Sequence, residues 1–400
     1  MLIEVPEALD GMVKEGAVEA VVAAMTEHTS VVEVQRQGLY ALRSLAGTVD
    51  SRGRVAEGGG IRAVLTAMKK HSGHAGVQEQ GCRVLRGLGV QHSNNRIRIA
   101  SEGGLEAITG AMRAHARHAG VQEQGCRVLG LLSVNHDNKE KVVSAGGLTC
   151  VIEAMSAHPK VVGVQEQGCC ALSTLSVRAE NQTAIADKGG IELVIAAMQA
   201  HKDEPGVLEQ GCRAVMSLAV NDNNKIRIAD AGGIAAVLEA MSGQQLHAGV
   251  QEQGCCALVN IAVNHDNMGR VAAHGGISVV LSAMKAHVTR AGVQEQGCRC
   301  LGNLGIRDEN KEAIAREGGG GVVLDAMATH VKQAGVQEQG CWALVNLAVV
   351  DENKIRLARA GAVGTVCRAL REHATSAGVQ EQGCWALQML GGLEEVRAEI

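Results

Sequence analysis

Apolar residues recur at spacings of three and four along the whole chain, in segments of three lengths that follow one another in a fixed order. Between residues 223 and 263 the order is "NNKIRIADAGG", "IAAVLEAMSG" and "GVQEQGCCALVNIAV". Such spacing predicts amphipathic helices: a short one, a medium one and a long one. The glycine pairs at 103–104, 146–147, 189–190, 232–233 and 275–276 predict the stop of each short helix, because a terminal glycine accepts positive φ. Asn94, Asn138, Asn181, Asn224, Asn267, Asn310 and Asn353, with Ser51 in the equivalent place, are expected to cap the short helices through their side-chain oxygens. In the long helix Val77, Gly81, Leu85 and Leu88 fall on one stripe at steps of four, four and three. That glycine costs about 1 kcal/mol against alanine, so the stripe predicts that it is buried where a neighbouring helix backbone comes close.

The element "VQxQG" begins at 34, 77, 121, 164, 207 (as "VLEQG"), 250, 293, 336 and 379, a spacing of 43 with one step of 44. Nine units follow, at about 5–49, 50–92, 93–136, 137–179, 180–222, 223–265, 266–308, 309–351 and 352–393, with a tail at 394–400 that reads as the opening of a tenth. The expected fold is all-α, a single solenoid over 1–400 in which each unit lacks a core of its own and buries its apolar face against its neighbours.

A 43-residue unit of three helices whose last ends in "ALxNxA" resembles the armadillo repeat, and "CWALVNLAVVDENKIRLARAGAV", residues 341–363, carries the likeness most fully. The variant "GVQEQGCWAL" is similar to repeats in the armadillo region of the large leucine-rich-repeat kinases and related protist proteins; no kinase motif accompanies it. The resemblance implies a right-handed superhelix whose third helices line a concave groove that binds extended peptides or partner proteins.

Composition narrows the chemistry. The chain has no Phe, one Tyr and two Trp, and a net charge of −4 with both signs interleaved. Nucleic acid is thereby set aside, for want of a basic field and of stacking platforms. No apolar run reaches a membrane span, and the acids in "MLIEVPEALDG" do not suit a targeting peptide. Thirteen cysteines without a CxxC pair suit reduced thiols of the cytosol or nucleus. Cys82, Cys126, Cys169, Cys212, Cys255, Cys298, Cys341 and Cys384 form a ladder of small core residues, since adjacent helices lie ~8–10 Å apart and a disulfide needs Cα atoms within ~7 Å. Histidines at 28, 71, 115, 158, 201, 287, 330 and 373 each follow a Met or Leu by three residues and are expected to cap the last carbonyls of the medium helix. His, Cys and Glu lie on separate ladders, so no catalytic cluster, metal site or cofactor site is expected.

Opposite the glycine stripe, the third helices present the Glu of "QEQ" and the residues four and eight further on. In the C-terminal half these are Glu252, Asn260, Glu295, Arg299, Asn303, Glu338, Trp342, Asn346, Glu381 and Trp385, the candidate partner-binding groove. Carboxylate beside indole is the chemistry that holds a Lys or Arg side chain, with cation–π contacts of ~0.5–2 kcal/mol. The nuclear-import adaptors among armadillo proteins grip basic peptides with a Trp and an Asn four residues apart; Trp342 and Asn346 match that pair, whereas Trp385 is followed by Met389. The function expected is a non-enzymatic scaffold or adaptor that binds an extended protein segment carrying Lys or Arg in units six to nine, with Trp342 as the anchor. The alternatives are a regulatory segment of, or derived from, a larger multidomain protein such as a kinase, and a merely solvated Glu row with the tryptophans packed on residues 394–400.

Overall fold

The computed structural model describes residues 11–392, and the chain divides into two compact units, Met1–Ala200 and His201–Ile400. Each unit is an α-solenoid of the repeat read from the sequence, and among the described residues there is no strand. In the second unit the first helices are Asp222–Asp230, His265–Ala273, Asp308–Arg316 and Asp351–Arg359. The second helices are Gly233–Gly243, Gly276–Ala286, Gly319–Thr329 and Ala362–Glu372. The third helices, Pro205–Leu218, Ala248–Ile261, Ala291–Leu304, Ala334–Leu347 and Ala377–Leu390, each stack on the next. The first unit repeats the scheme with third helices Val32–Leu45, Ala75–Gly89, Ala119–Leu132 and Val162–Leu175. No described helix is long and apolar enough to cross a membrane.

The glycine pairs do two jobs at the corner between the first and second helices. The first of each pair takes positive φ, +82° at Gly232 and +78° at Gly275. The second lets the second helix start against the first, since a Cβ at Gly276 would lie 2.8 Å from the Val271 carbonyl oxygen.

The mid-helix glycine of each third helix is buried as expected, but its neighbour is not the backbone of another layer. A Cβ at Gly254 would lie 2.5 Å from Met241 Cγ and 2.6 Å from its Sδ; Gly297 meets Met284, and Gly340 meets Met327, in the same way. Met68 lies against Gly81 in the first unit, and Leu370 against Gly383 in the last described repeat. The glycine therefore seats the methionine of its own repeat's second helix, thirteen residues back. A long unbranched side chain reaches into such a gap where a shorter one would leave it empty.

Beside this contact the first Gln of "VQxQG" is buried and does the capping that the histidines were expected to do. Gln251 Nε2 donates to the carbonyls of Met241 and Gln244, each at 2.8 Å; Gln294 does so to Met284 and His287, and Gln337 to Met327 and His330. The histidine rings face the preceding repeat instead. His287 Nε2 donates to the Gln245 carbonyl at 2.8 Å, His330 to Val288 and His373 to Val331, each at 2.7 Å. His71, His115 and His158 do likewise in the first unit. One repeat has Gln244 in place of histidine, and its Nε2 donates to Lys202 O at 3.1 Å. Within each unit the ladder is thus a row of N–H donors that fasten one repeat to the one before it.

The asparagine ladder also has a different task from the one its sequence position suggested. Where a side chain caps a first helix of the second unit it belongs to a residue three positions earlier, Asn264 or Asn221, which accepts from the backbone N–H groups of the first turn; Arg307 and Val350 in that place make no such bond. Asn267 lies one turn inside the helix and buried, and its Nδ2 donates to the Lys225 carbonyl of the preceding repeat at 3.1 Å and to Ile261 O at 3.3 Å. After the 44-residue step the residue in this place is Asn95, bonded to Arg52 O and Leu88 O, and not Asn94. A side chain that carries both a donor and an acceptor satisfies carbonyls between repeats that would otherwise be buried unpaired.

The cysteine ladder lies in the core without disulfides, and only its last member, Cys384, is exposed. Burial pushes the thiols of Cys82, Cys212, Cys298 and Cys341 up to about 12, which keeps them protonated and inert as nucleophiles.

Candidate functional site

Stacking of the third helices in the second unit brings the candidate residues onto one face, but it engages many of them within the fold. Glu252, Glu295 and Glu338 each reach the N-terminal turn of the next third helix, where the carboxylate occupies the space that a Cβ would need at Gly292, Gly335 and Gly378 respectively. Glu209 and Gly249 make the same pair. The Ncap residues Arg290, Gln333 and Ser376 provide no side-chain hydrogen bond, so the carboxylate from the preceding repeat supplies the negative charge that a helix N-terminus favours. The glycine before each "VQEQG" is the residue that sequence reasoning passed over. Its recurrence at every such site was the available signal.

The row is nonetheless electrically crowded. The Glu295 carboxyl is raised above the ordinary carboxylate range, first by burial and then by Glu338 and Glu252, with Arg299 opposing. Arg299 itself is exposed, and so is Glu381 at the end of the row.

The asparagines turn inward. Asn260 Nδ2 donates to Met216 O of the preceding repeat at 2.9 Å, and Asn346 Nδ2 donates to Trp342 O, on its own helix, at 3.1 Å. Asn303 Oδ1 accepts from Trp342 Nε1 at 3.4 Å. These donors are therefore not pointed at an incoming peptide in this structure.

The two indoles lie together, with ring centroids 5.8 Å apart and planes inclined at 57°. Trp342 is half-buried because Gly302 of the preceding repeat leaves room for it; a Cβ there would lie 2.8 Å from its Nε1. The corresponding residues after Gly302 are Val345 and Gln388, and the equivalent Gly130 of the first unit faces Ala171, so among these places the glycine meets an indole at Gly302. Trp385 is 42% exposed. The packing of either ring on residues 394–400 lies outside the described residues. Tilted indoles, one of them partly open, lie beside a crowded row of carboxylates, and indole faces with carboxylates nearby are the groups through which organic cations are generally bound. Among the described residues no three His, Cys, Asp or Glu side chains converge on a metal-sized point.

A family model described as LRRK2 ARM repeat matches residues 148–358, more than half of the chain. No curated protein matches it in sequence. Two crystal structures of engineered proteins share its fold. The first has a TM-score of 0.81 and 23% identity over 96% of this chain and 91% of the other. The second has a TM-score of 0.55 and 23% identity over 62% of this chain and 97% of the other.

Proposed function

The chain belongs to the LRRK2 ARM repeat family, and from that premise we propose that it is a non-enzymatic interaction scaffold, working in the cytosol or nucleus, whose third-helix face receives an extended partner segment carrying Lys or Arg. The observation that carries the reading is the Trp342–Trp385 pair, left partly open beside the row Glu252, Glu295, Glu338 and Glu381. A guanidinium or ammonium group set against the open indole edge gains a cation–π contact, and it offsets the repulsion from Glu338 and Glu252 that adds to the burial of Glu295. Glu381 and Trp385 are the first contacts of such a segment because they are exposed. Glu252, Glu295 and Glu338 act at longer range, since their carboxylates are already seated on helix N-termini. Asn260, Asn303 and Asn346 shape the face and would contact the peptide only after exchanging their present bonds.

The test is binding of a fluorescent library of basic peptides to the chain and to its Trp385→Ala and Glu381→Gln variants. Loss of one cation–π contact predicts about tenfold weaker binding for Trp385→Ala. Equal affinities for the chain and both variants would remove the anchor. A second reading, a regulatory armadillo segment of or derived from a larger multidomain protein such as a kinase, draws on the same family match, and the same peptide assay run with segments of such a protein distinguishes it.

A further inference from the structure

The second-helix face of the first unit carries a trough that the fold does not need. It lies between the adjacent helices Gly60–Lys70 and Gly104–Ala114 and measures about 860 Å³. Comparable gaps elsewhere are about 140 Å³ beside Cys150 and Glu153, and about 100 Å³ beside Val279 and Ser282. The size follows from two residues of the second wall, Ala107 and Gly110, which stand where those other repeats have Cys150 and Glu153 or Val279 and Ser282.

Gly110 differs from the methionine-seating glycines. It is exposed in the interior of a helix, and a Cβ there would meet nothing within 4 Å. No packing within the chain offsets its helix-propensity cost of about 1 kcal/mol. The walls differ in charge. Among the described residues Arg62 and Lys69, two helical turns apart on one side, make no ion pair, and Glu106 makes none on the other; Glu102 there pairs with Arg98. Leu65 and Met68 supply the apolar floor.

We infer that this trough docks an amphipathic helix of a partner protein, one with a leucine-like stripe for the floor, acids seven residues apart along the flank that meets Arg62 and Lys69, and a base on the flank that meets Glu106. A helix fits because the trough runs between two adjacent helices, whose groove accepts a ridge of side chains, and because a seven-residue period returns acids to one flank every two turns, ~10.5 Å apart. The opposite polarity of the walls fixes its direction.

The experiment uses the full chain and a stapled helical peptide of about 15 residues with that stripe and those charges, alongside an exchanged peptide in which Lys replaces both acids, so that both flanks are basic and no reversal restores the match, measured by fluorescence anisotropy. The first peptide is expected to bind, and the exchanged one about tenfold or more weakly. Gly110→Leu fills the trough and should abolish binding while leaving the urea midpoint unchanged or raised. The exposed pair of changes Arg62→Glu and Lys69→Glu should transfer preference to the exchanged peptide. Equal binding of the two peptides, undiminished binding by Gly110→Leu, or no binding of the first peptide at ~1 mM would overturn the inference.

Discussion

Alanine in place of Gly254 tests what the recurring mid-helix glycine is for. Its Cβ would lie 2.5 Å from Met241 Cγ and 2.6 Å from Sδ, whereas such atoms rest ~3.5–4.0 Å apart. Cγ belongs to the stem of the methionine, so relief requires a new rotamer within a packed core or a shift of the whole second helix. Overpacking of this kind costs ~1–3 kcal/mol, against a gain of about 1 kcal/mol from replacing glycine within a helix. Gly110→Ala supplies the reference, because it brings the same propensity gain and its Cβ meets nothing. Urea unfolding of both variants should therefore place Gly254→Ala ~1–3 kcal/mol below Gly110→Ala. The double variant Gly254→Ala with Met241→Ala completes a cycle. Met241→Ala alone opens a cavity costing ~2–5 kcal/mol, and in that background the added methyl fills space and should stabilise. A Gly254→Ala protein as stable as Gly110→Ala, or additivity within ~0.5 kcal/mol across the cycle, would refute the seating of Met241 as the reason for the glycine.

Gln251→Leu removes the donor to Met241 O and Gln244 O and should cost ~1–3 kcal/mol in urea unfolding for the carbonyl left buried without a partner; an unchanged midpoint would show that the cap is dispensable. His287→Ala should lose ~1 kcal/mol with the bond to Gln245 O, while His287→Gln should retain most of it, as Gln244 does in its own repeat; equal loss in the two variants would sink the donor role. Thiol labelling of the native chain at pH 8, read by mass spectrometry, should modify exposed Cys384 well before Cys298 and Cys341, and equal rates would contradict their burial. The same thiols give a pH dependence. Their folded values, about 12 at Cys298 and Cys341, lie above the unfolded value near ~8.5, so the folded chain binds more protons across that interval. Their contribution is complete below about pH 8.5 and is lost as pH rises toward about 12, at up to ~1.4 kcal/mol per pH unit per thiol; a midpoint constant from pH 8 to 10 would contradict it.

The solenoid was legible because period, helix lengths and corners are each written in one-dimensional signals. A 43-residue recurrence, apolar steps of three and four, and glycine pairs at the corner leave few other arrangements. Roles of single side chains were less legible, since a repeating sequence gives the ladder but not the direction in which a rung points. The histidines follow a second helix closely enough to cap it, and only the exception separates the readings. Gln244 replaces histidine with a donor at the same place and makes the same bond to the preceding repeat. Sequence proximity likewise favoured Asn267 as a cap, although Asn264, three residues earlier, performs that task.

The acid row shows why a candidate site is harder to read than a fold. Position on a helix places Glu252, Glu295 and Glu338 on the face opposite the glycine stripe, yet a Glu side chain is long enough to leave that face for the start of the next helix. The choice is made by a residue 40 positions away in each case, Gly292, Gly335 or Gly378, whose missing Cβ leaves the carboxylate its room. Such a carboxylate is no longer free to wrap a ligand, so it would act on a cation at a distance rather than by direct grip. Grip requires an exposed group, and among the described candidate residues of this face those are the open edge of Trp385, the carboxylate of Glu381 and the guanidinium of Arg299. The repeats therefore supply a common electrostatic face, and the departures from the repeat, Gly302, Trp342 and Trp385, would supply whatever is specific about the segment proposed to bind there.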